Sequence, residues 1–159
     1  MSEIYVKIEG IEGESKDAKH KGWIDAINLS YGVSQSSSVF TGGGGGVGKA
    51  DFNGLAFTHY FDRASPNLFK YCAAGKHIAT VEISGCKSGG GQQEFVHVKL
   101  SDVIVIGVTP NGNAGSMWVE TVSLAYSQIV IEAKEQKADG SMVAGVSGGW
   151  NVKENKAIA

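Results

Sequence analysis

The sequence predicts a mainly β fold, a compact antiparallel β-barrel or sandwich with one short α-helix. Apolar residues recur with a period of two over most of the chain, which is the signature of half-buried strands. Only one segment carries the punctuation of a helix. Glycine is the compositional outlier, 23 of 159 residues with only two prolines. That is about twice the usual usage of roughly 7%, and it supplies turns and close backbone approaches rather than a Pro/Gly linker.

In chain order, "IYVKI" alternates and reads as the first strand. In "WIDAINLSYGVS", Ile27, Leu29, Tyr31 and Val33 fall on one face and Ala26, Asn28, Ser30, Gly32 and Ser34 on the other. The first set is assigned to the core and the second to a small, polar outer face. "FNGLAFTHYF" is a further strand. The exception follows: in "SPNLFKYCAAGK", Ser65 is placed to cap, Pro66 takes the first helical position, Leu68, Phe69 and Cys72 share a face, and Gly75 stands just past the end. "HIATVEIS" resumes the β pattern, and "SGGGQQ" reads as a hairpin loop. "FVHVKLSDVIVIGV" alternates through Val96, Val98 and Leu100, then turns apolar on both faces from Val103 to Ile106, as a strand covered on both sides does. After the longer loop "TPNGNAG", "VETVSLAYSQIVIEA" sets Val122, Leu124 and Tyr126 against Thr121, Ser123, Ala125 and Ser127, with a change of phase near Gln128 that a bulge would explain. Two strands thus present small uncharged faces where Lys, Glu and Arg are usual. Either they line an enclosed aqueous space or they form a plain Ser/Thr-rich exterior, and the pattern alone allows both.

Charged residues make up 19% of the chain and the net charge is −2, so there is no basic surplus for nucleic acid or an anionic membrane. The N-terminus lacks a basic and then apolar leader, and no apolar run reaches the roughly 18 residues of a membrane span. The expectation is a single domain over 1–159, made and folded in the cytoplasm. Cys72 and Cys86 have no CxxC spacing and read as free thiols, with a disulfide after export left open. Few charges guard the strand edges, which points to self-association.

The stretch "TGGGGGVGKADF" has the Walker A spacing from Gly43 through Gly48 and Lys49, but Ala50 stands where a Ser or Thr should hold Mg²⁺. A polar serine run precedes it and a strand pattern follows, so neither the buried strand nor the helix N-terminus of a phosphate loop is present. The histidines at 20, 59, 77 and 97 are scattered, His97 shares its face with Lys99, and no GxSxG elbow occurs. The sequence therefore predicts no catalytic residue, no metal site and no cofactor.

"GESKD" (13–17), "YGVSQSSS" (31–38), "TGGGGGVGKADF", "LAFTHYFDRASPNLFKYCAAGKHIATVEI" and the closing "GWNVKENK" together resemble the haemolysin-coregulated protein (Hcp) family, which forms the inner tube of the bacterial type VI secretion system. The matching segments span nearly the whole chain, in family order. The resemblance implies a tail-tube-like β-barrel that forms a homo-hexamer. Rings would stack into a hollow tube, capped by a valine-glycine repeat spike protein, driven by a contractile sheath and expelled with effector proteins in the lumen. Secretion would then bypass a cleaved signal peptide. The resemblance assigns Gly42, Gly43, Gly44, Gly45, Gly46, Val47, Gly48 and Lys49 to a loop contacting neighbouring rings, with glycines free for φ > 0 and close approach, and Lys49 as an interface charge. It assigns Ser30 and Asn28 to the lumen as effector contacts. The alternatives are a monomeric ligand-binding β-sandwich and a nucleotide-binding protein using the glycine tract.

Overall fold

The computed structural model describes residues 2–38, 46–89 and 91–159. The alternating segments form β1 (Ser2–Ile8), β2 (Ile24–Ser34), β3 (Asp51–Tyr60), β4 (His77–Lys87), β5 (Glu94–Asn111), β6 (Val119–Ala133), β7 (Val146–Asn151) and β8 (Lys156–Ala157), with α1 (Ser65–Ala74) between β3 and β4. The sheet runs β3-β2-β1-β4-β5-β6-β7-β8, and β3 also pairs with β6. That last pairing closes β1 to β6 into an antiparallel barrel over Leu55–Tyr60, which removes the edge of that half of β3 by pairing rather than guarding it with charge. β7 and β8, which the periodicity does not reveal in "GWNVKENK", extend the sheet beyond the barrel along the second half of β6.

The interior is the apolar phase of each strand: Val6, Ile8, Ile24, Leu55, Phe57, Val81, Ile83, Val98, Leu100, Val122 and Leu124 are all buried. Burying a side chain of this kind contributes about 1.5–3 kcal/mol. The change of phase predicted as a bulge near Gln128 is real, but it has another cause. Pairing of β5 with β6 keeps step from Ser101↔Gln128 to Val103↔Tyr126. What changes is the face turned inward, and it changes in three neighbouring strands at one level: from Val81 to Ile78, from Leu100 to Val103 and from Ile129 to Tyr126. Asp102 sits on that line with φ 51, in the left-handed region. Its carboxylate pins the line by accepting from Ser127 Oγ (2.6 Å) and Lys153 Nζ (2.7 Å), with His77 Nδ1 at 3.0 Å. Those three partners, Lys153 first, hold the Asp102 carboxyl well below the usual carboxylate range.

Two sequence expectations fail. Ile27, Tyr31 and Val33, assigned to the core, are exposed. Ile27 is an extra residue of β2, so Ala26 before it and Leu29 after it both turn to the core; opposite Tyr31 the extra residue lies on β3, where Gly54 and Leu55 share one partner position, and Val33 pairs in step with Phe52 but lines an open cleft. Ile106 is likewise exposed at the β5 irregularity between Val105 and Gly107, so the strand is not covered on both faces through 106.

The helix forms where expected, with its caps reassigned. Ser65 is its first residue; the N-cap, Ala64, makes no side-chain cap bond, and Asp62 Oδ1 accepts from the Ala64 N–H at 2.8 Å. Gly75 ends it at φ 59, where its own N–H and that of Lys76 return to the carbonyls of Cys72 and Tyr71. Leu68, Tyr71 and Cys72 pack on the core, whereas Phe69 points into solvent.

Candidate functional site

Strand register turns the small polar faces of β2 and β6 into one surface. Ser30 lies opposite Ala56, Ala56 opposite Ser123, and Ser123 opposite Gly107. Asn28, Thr58, Thr121 and Thr109 make a second row beside it. Between the rows Leu29, Phe57, Val122 and Val108 turn to the core, so the two rows stand together on the outside. Thr58 Oγ1 and Thr121 Oγ1 are 3.3 Å apart across the seam that closes the barrel. Ser30 and Asn28 are both exposed at the β2 edge of this face. Hydroxyls and an amide give it donors and acceptors, and neither row carries a charge.

A buried pair of titratable groups lies underneath the two rows. His59 on β3 pairs directly with Glu120 on β6, Nε2 to Oε1 at 2.8 Å, with side chains 0% and 1% exposed. Asp62 Oδ2 is 3.6 Å from His59 Nδ1, which has no hydrogen-bond partner. Burial alone would lower the imidazole pKa, but the Asp62 and Glu120 carboxylates outweigh it and raise His59 to about 9. The imidazolium therefore persists at neutral pH and ties the seam to the segment that caps α1. Phase would have revealed the pair: His59 follows Leu55 and Phe57 at intervals of two, and Glu120 precedes Val122 and Leu124 in the same way.

Ser36 to Ser38 and Gly46 to Gly48 form an arm that prolongs β2 and β3. Ser38 N–H donates to the Gly46 carbonyl at 3.3 Å, Gly46 N–H to Ser38 Oγ at 3.1 Å, and Gly48 N–H to the Ser36 carbonyl at 3.4 Å. Gly42, Gly43, Gly44 and Gly45 lie outside the described residues. A Cβ at Gly48 would fall 2.6 Å from Ser36 Oγ, so a larger residue there would have to turn the exposed Ser36 hydroxyl aside. Lys49 is exposed, and Asp51 two residues on already begins β3, so no helix N-terminus meets this tract.

A family model described as "Type VI secretion system effector, Hcp" matches residues 5–132. The chain belongs to the Hcp family. It is 39% identical over 156 residues to protein hcp1 of Pseudomonas aeruginosa, covering 96% of each chain. The Hcp1 crystal structure from Salmonella typhimurium superposes with a TM-score of 0.81 at 36% identity, covering 99% of both chains. A type VI secretion system effector from Yersinia pestis gives 0.77 at 30% identity, over 94% of this chain and 99% of that one.

Within this Hcp chain, the structure brings Ser30 and Asn28 into one face with Thr58, Thr109, Thr121 and Ser123, and sets Gly46 to Lys49 apart from it on the arm. Among the described residues no group of three His, Cys, Asp or Glu is arranged to hold a metal ion. Cys72 is half-buried on α1 and Cys86 is buried on β4, both free thiols, and burial pushes the Cys86 thiol up. No helix among the described residues is long and apolar enough to cross a membrane.

Proposed function

We propose that the chain is the subunit of a type VI secretion inner tube, with residues 1–159 forming a single tube domain. Copies close into a hexameric ring, rings stack into a hollow tube, and the tube is expelled with effector proteins in its bore. The observation that carries this reading is the neutral double row on β2, β3, β6 and β5, with Ser30 and Asn28 at its edge. A bore lined in this way offers cargo many hydrogen bonds, each contributing about 0.5–1.5 kcal/mol, and no fixed charge on which it would lodge. Gly42 to Lys49 serve as the contact between rings, with Lys49 an interface charge. The ends of the tube meet a valine-glycine repeat spike protein, its outside a contractile sheath.

Light scattering on a sizing column, followed by electron microscopy, tests the reading: rings at micromolar concentration are expected, and a stable monomer overturns it. Ser30→Trp is expected to leave rings intact while effector retention falls. Loss of the ring in that variant would place Ser30 at a subunit contact. Deleting Gly43 to Gly46 is expected to spare isolated rings and impair tube growth or secretion, and unchanged secretion would refute the role given to that stretch.

A further inference from the structure

Two apolar features of opposite shape lie at opposite ends of the same strands. Where β3 ends and β6 begins, Tyr60, Phe61, Met117 and Trp118 stand 45% to 66% exposed. The Phe61 and Trp118 rings meet edge to face with centroids 6.0 Å apart, and the Phe61 N–H donates to the Trp118 carbonyl at 2.9 Å, so this knob is fixed across the seam. Gly112 lies against the indole; a Cβ there would fall 2.4 Å from it. From Asn111 to Val119 the chain has no charged residue.

At the far end, β3 pairs with β6 only from Leu55 onward, while the second half of β6 is taken up by β7. The seam forks there, Tyr126 Oη spanning the fork to the Asn53 carbonyl at 3.2 Å. The fork opens a cleft of about 550 Å³ between Val33, Val47 and Phe52 on one wall and Ile129, Ile131 and Trp150 on the other, and none of its lining residues is charged. Phe52 and Tyr60 are eight residues apart on one strand, so cleft and knob are separated by about 26 Å.

We infer that the knob of one copy seats in the cleft of the next. The inference rests on the self-assembling reading above and names the surfaces that carry it. A projection cannot pack on its own image across a two-fold axis as it can in a hollow. A knob and a cleft on one molecule instead make a heterologous contact, which closes into a ring when the rotation allows. Four aromatic or methionine side chains at these exposures offer roughly 400–500 Å². With the cleft walls the contact removes about 1,000 Å² from water, the lower bound for a specific pair. One such contact makes a weak dimer, whereas two per subunit hold a closed ring. Neither surface brings a charge, so seating desolvates no ion.

The test uses the full chain, with Trp118→Asp to spoil the knob and the double variant Val33→Asp, Val47→Asp to spoil the cleft. All three positions are exposed, and unchanged circular dichroism confirms folding. Each variant alone is expected to need at least a roughly tenfold higher concentration than wild type to assemble. Mixed at several hundred micromolar in sedimentation equilibrium, the two are expected to form a one-to-one dimer and nothing larger, since only one intact knob and one intact cleft remain. A mixture that stays monomeric overturns the pairing of knob with cleft. Variants that assemble like wild type overturn the inference and leave the proposed function standing; if they also lose effector, the surfaces serve cargo instead. A monomeric wild type overturns the proposed function itself.

Discussion

The two flanks of the barrel are built with opposite placement of charge. On the flank of β1, β4 and the first half of β5, Lys7, Glu82 and Lys99 stand across from one another on the outside, His97 Nε2 is 3.5 Å from Glu82 Oε1, and the inward row Val6, Ile83, Val98 is apolar. On the flank of β2, β3, β6 and the second half of β5, the two outer rows are hydroxyl, amide and small apolar, exposed carboxylates occur only toward the strand starts at Asp25 and Asp51, and the pair of His59 with Glu120 is inside. A surface in bulk water carries charge at little cost. A flank whose exterior is neutral carries its charges inward, where they persist only in mutual contact.

The largest effect is expected from breaking the inner pair. Glu120→Ala leaves the His59 imidazolium with only Asp62, at 3.6 Å, and should cost about 3–5 kcal/mol in denaturant unfolding at fixed protein concentration. The double variant His59→Phe, Glu120→Leu should recover most of that loss, because apolar groups need no partner. A single-variant cost below about 1 kcal/mol would mean that water reaches the pair and that the two flanks do not differ in kind.

Titration probes the same contrast without mutation. His59 is raised from 6.5 to about 9. A raised pKa stabilises the fold fully below 6.5, and that stability is lost as pH climbs through about 9. The shift corresponds to about 3 kcal/mol lost across that window. Replacing His59 by Gln should flatten the profile between those pH values.

Sequence phase reveals one flank more fully than the other. Where strands keep step, as in β6 from Thr121 to Tyr126, parity alone separates hydroxyls from core, and it places Ser30 and Asn28 on the outer side of β2. It fails at Ile27, Tyr31 and Ile106, because a bulge is a property of two strands together and leaves no mark on one. The shared phase change along Asp102 shows the same limit, since three paired strands turn there with their register intact. Closure of β3 on β6, which gathers the neutral face and creates both knob and cleft, joins residues 55–60 to 119–124 and is likewise invisible to local pattern. The family resemblance narrows a barrel or sandwich to a tail-tube-like barrel, because its motifs span those distant segments jointly.

Gly54 tests where the neutral flank ends. A Cβ there would fall 2.8 Å from the Leu124 carbonyl, at the point where β3 parts from β6. Gly54→Ala should cost about 1–3 kcal/mol by forcing the strands apart. Hydrogen exchange should quicken at Leu55 and Phe57 but not at Val81 or Ile83 on the charged flank. Uniform acceleration would show that the barrel opens as one unit rather than at the fork.

The smallest effect is expected at Glu82, the centre of the outer charges. Its side chain is 34% exposed with His97 3.5 Å away, a geometry in which attraction is screened by water and offset by side-chain ordering. Glu82→Gln should change stability by less than about 0.5 kcal/mol at physiological salt, and the change should vanish near 1 M salt, where the Debye length is about 3 Å. The comparison sharpens if unfolding is followed both in the monomeric Trp118→Asp variant and in the assembled wild type. Equal, small effects in both would establish that this flank stays in water within the assembly. A cost above about 2 kcal/mol confined to the assembled form would instead place Glu82 against a second copy, where loss of one partner leaves a desolvated charge.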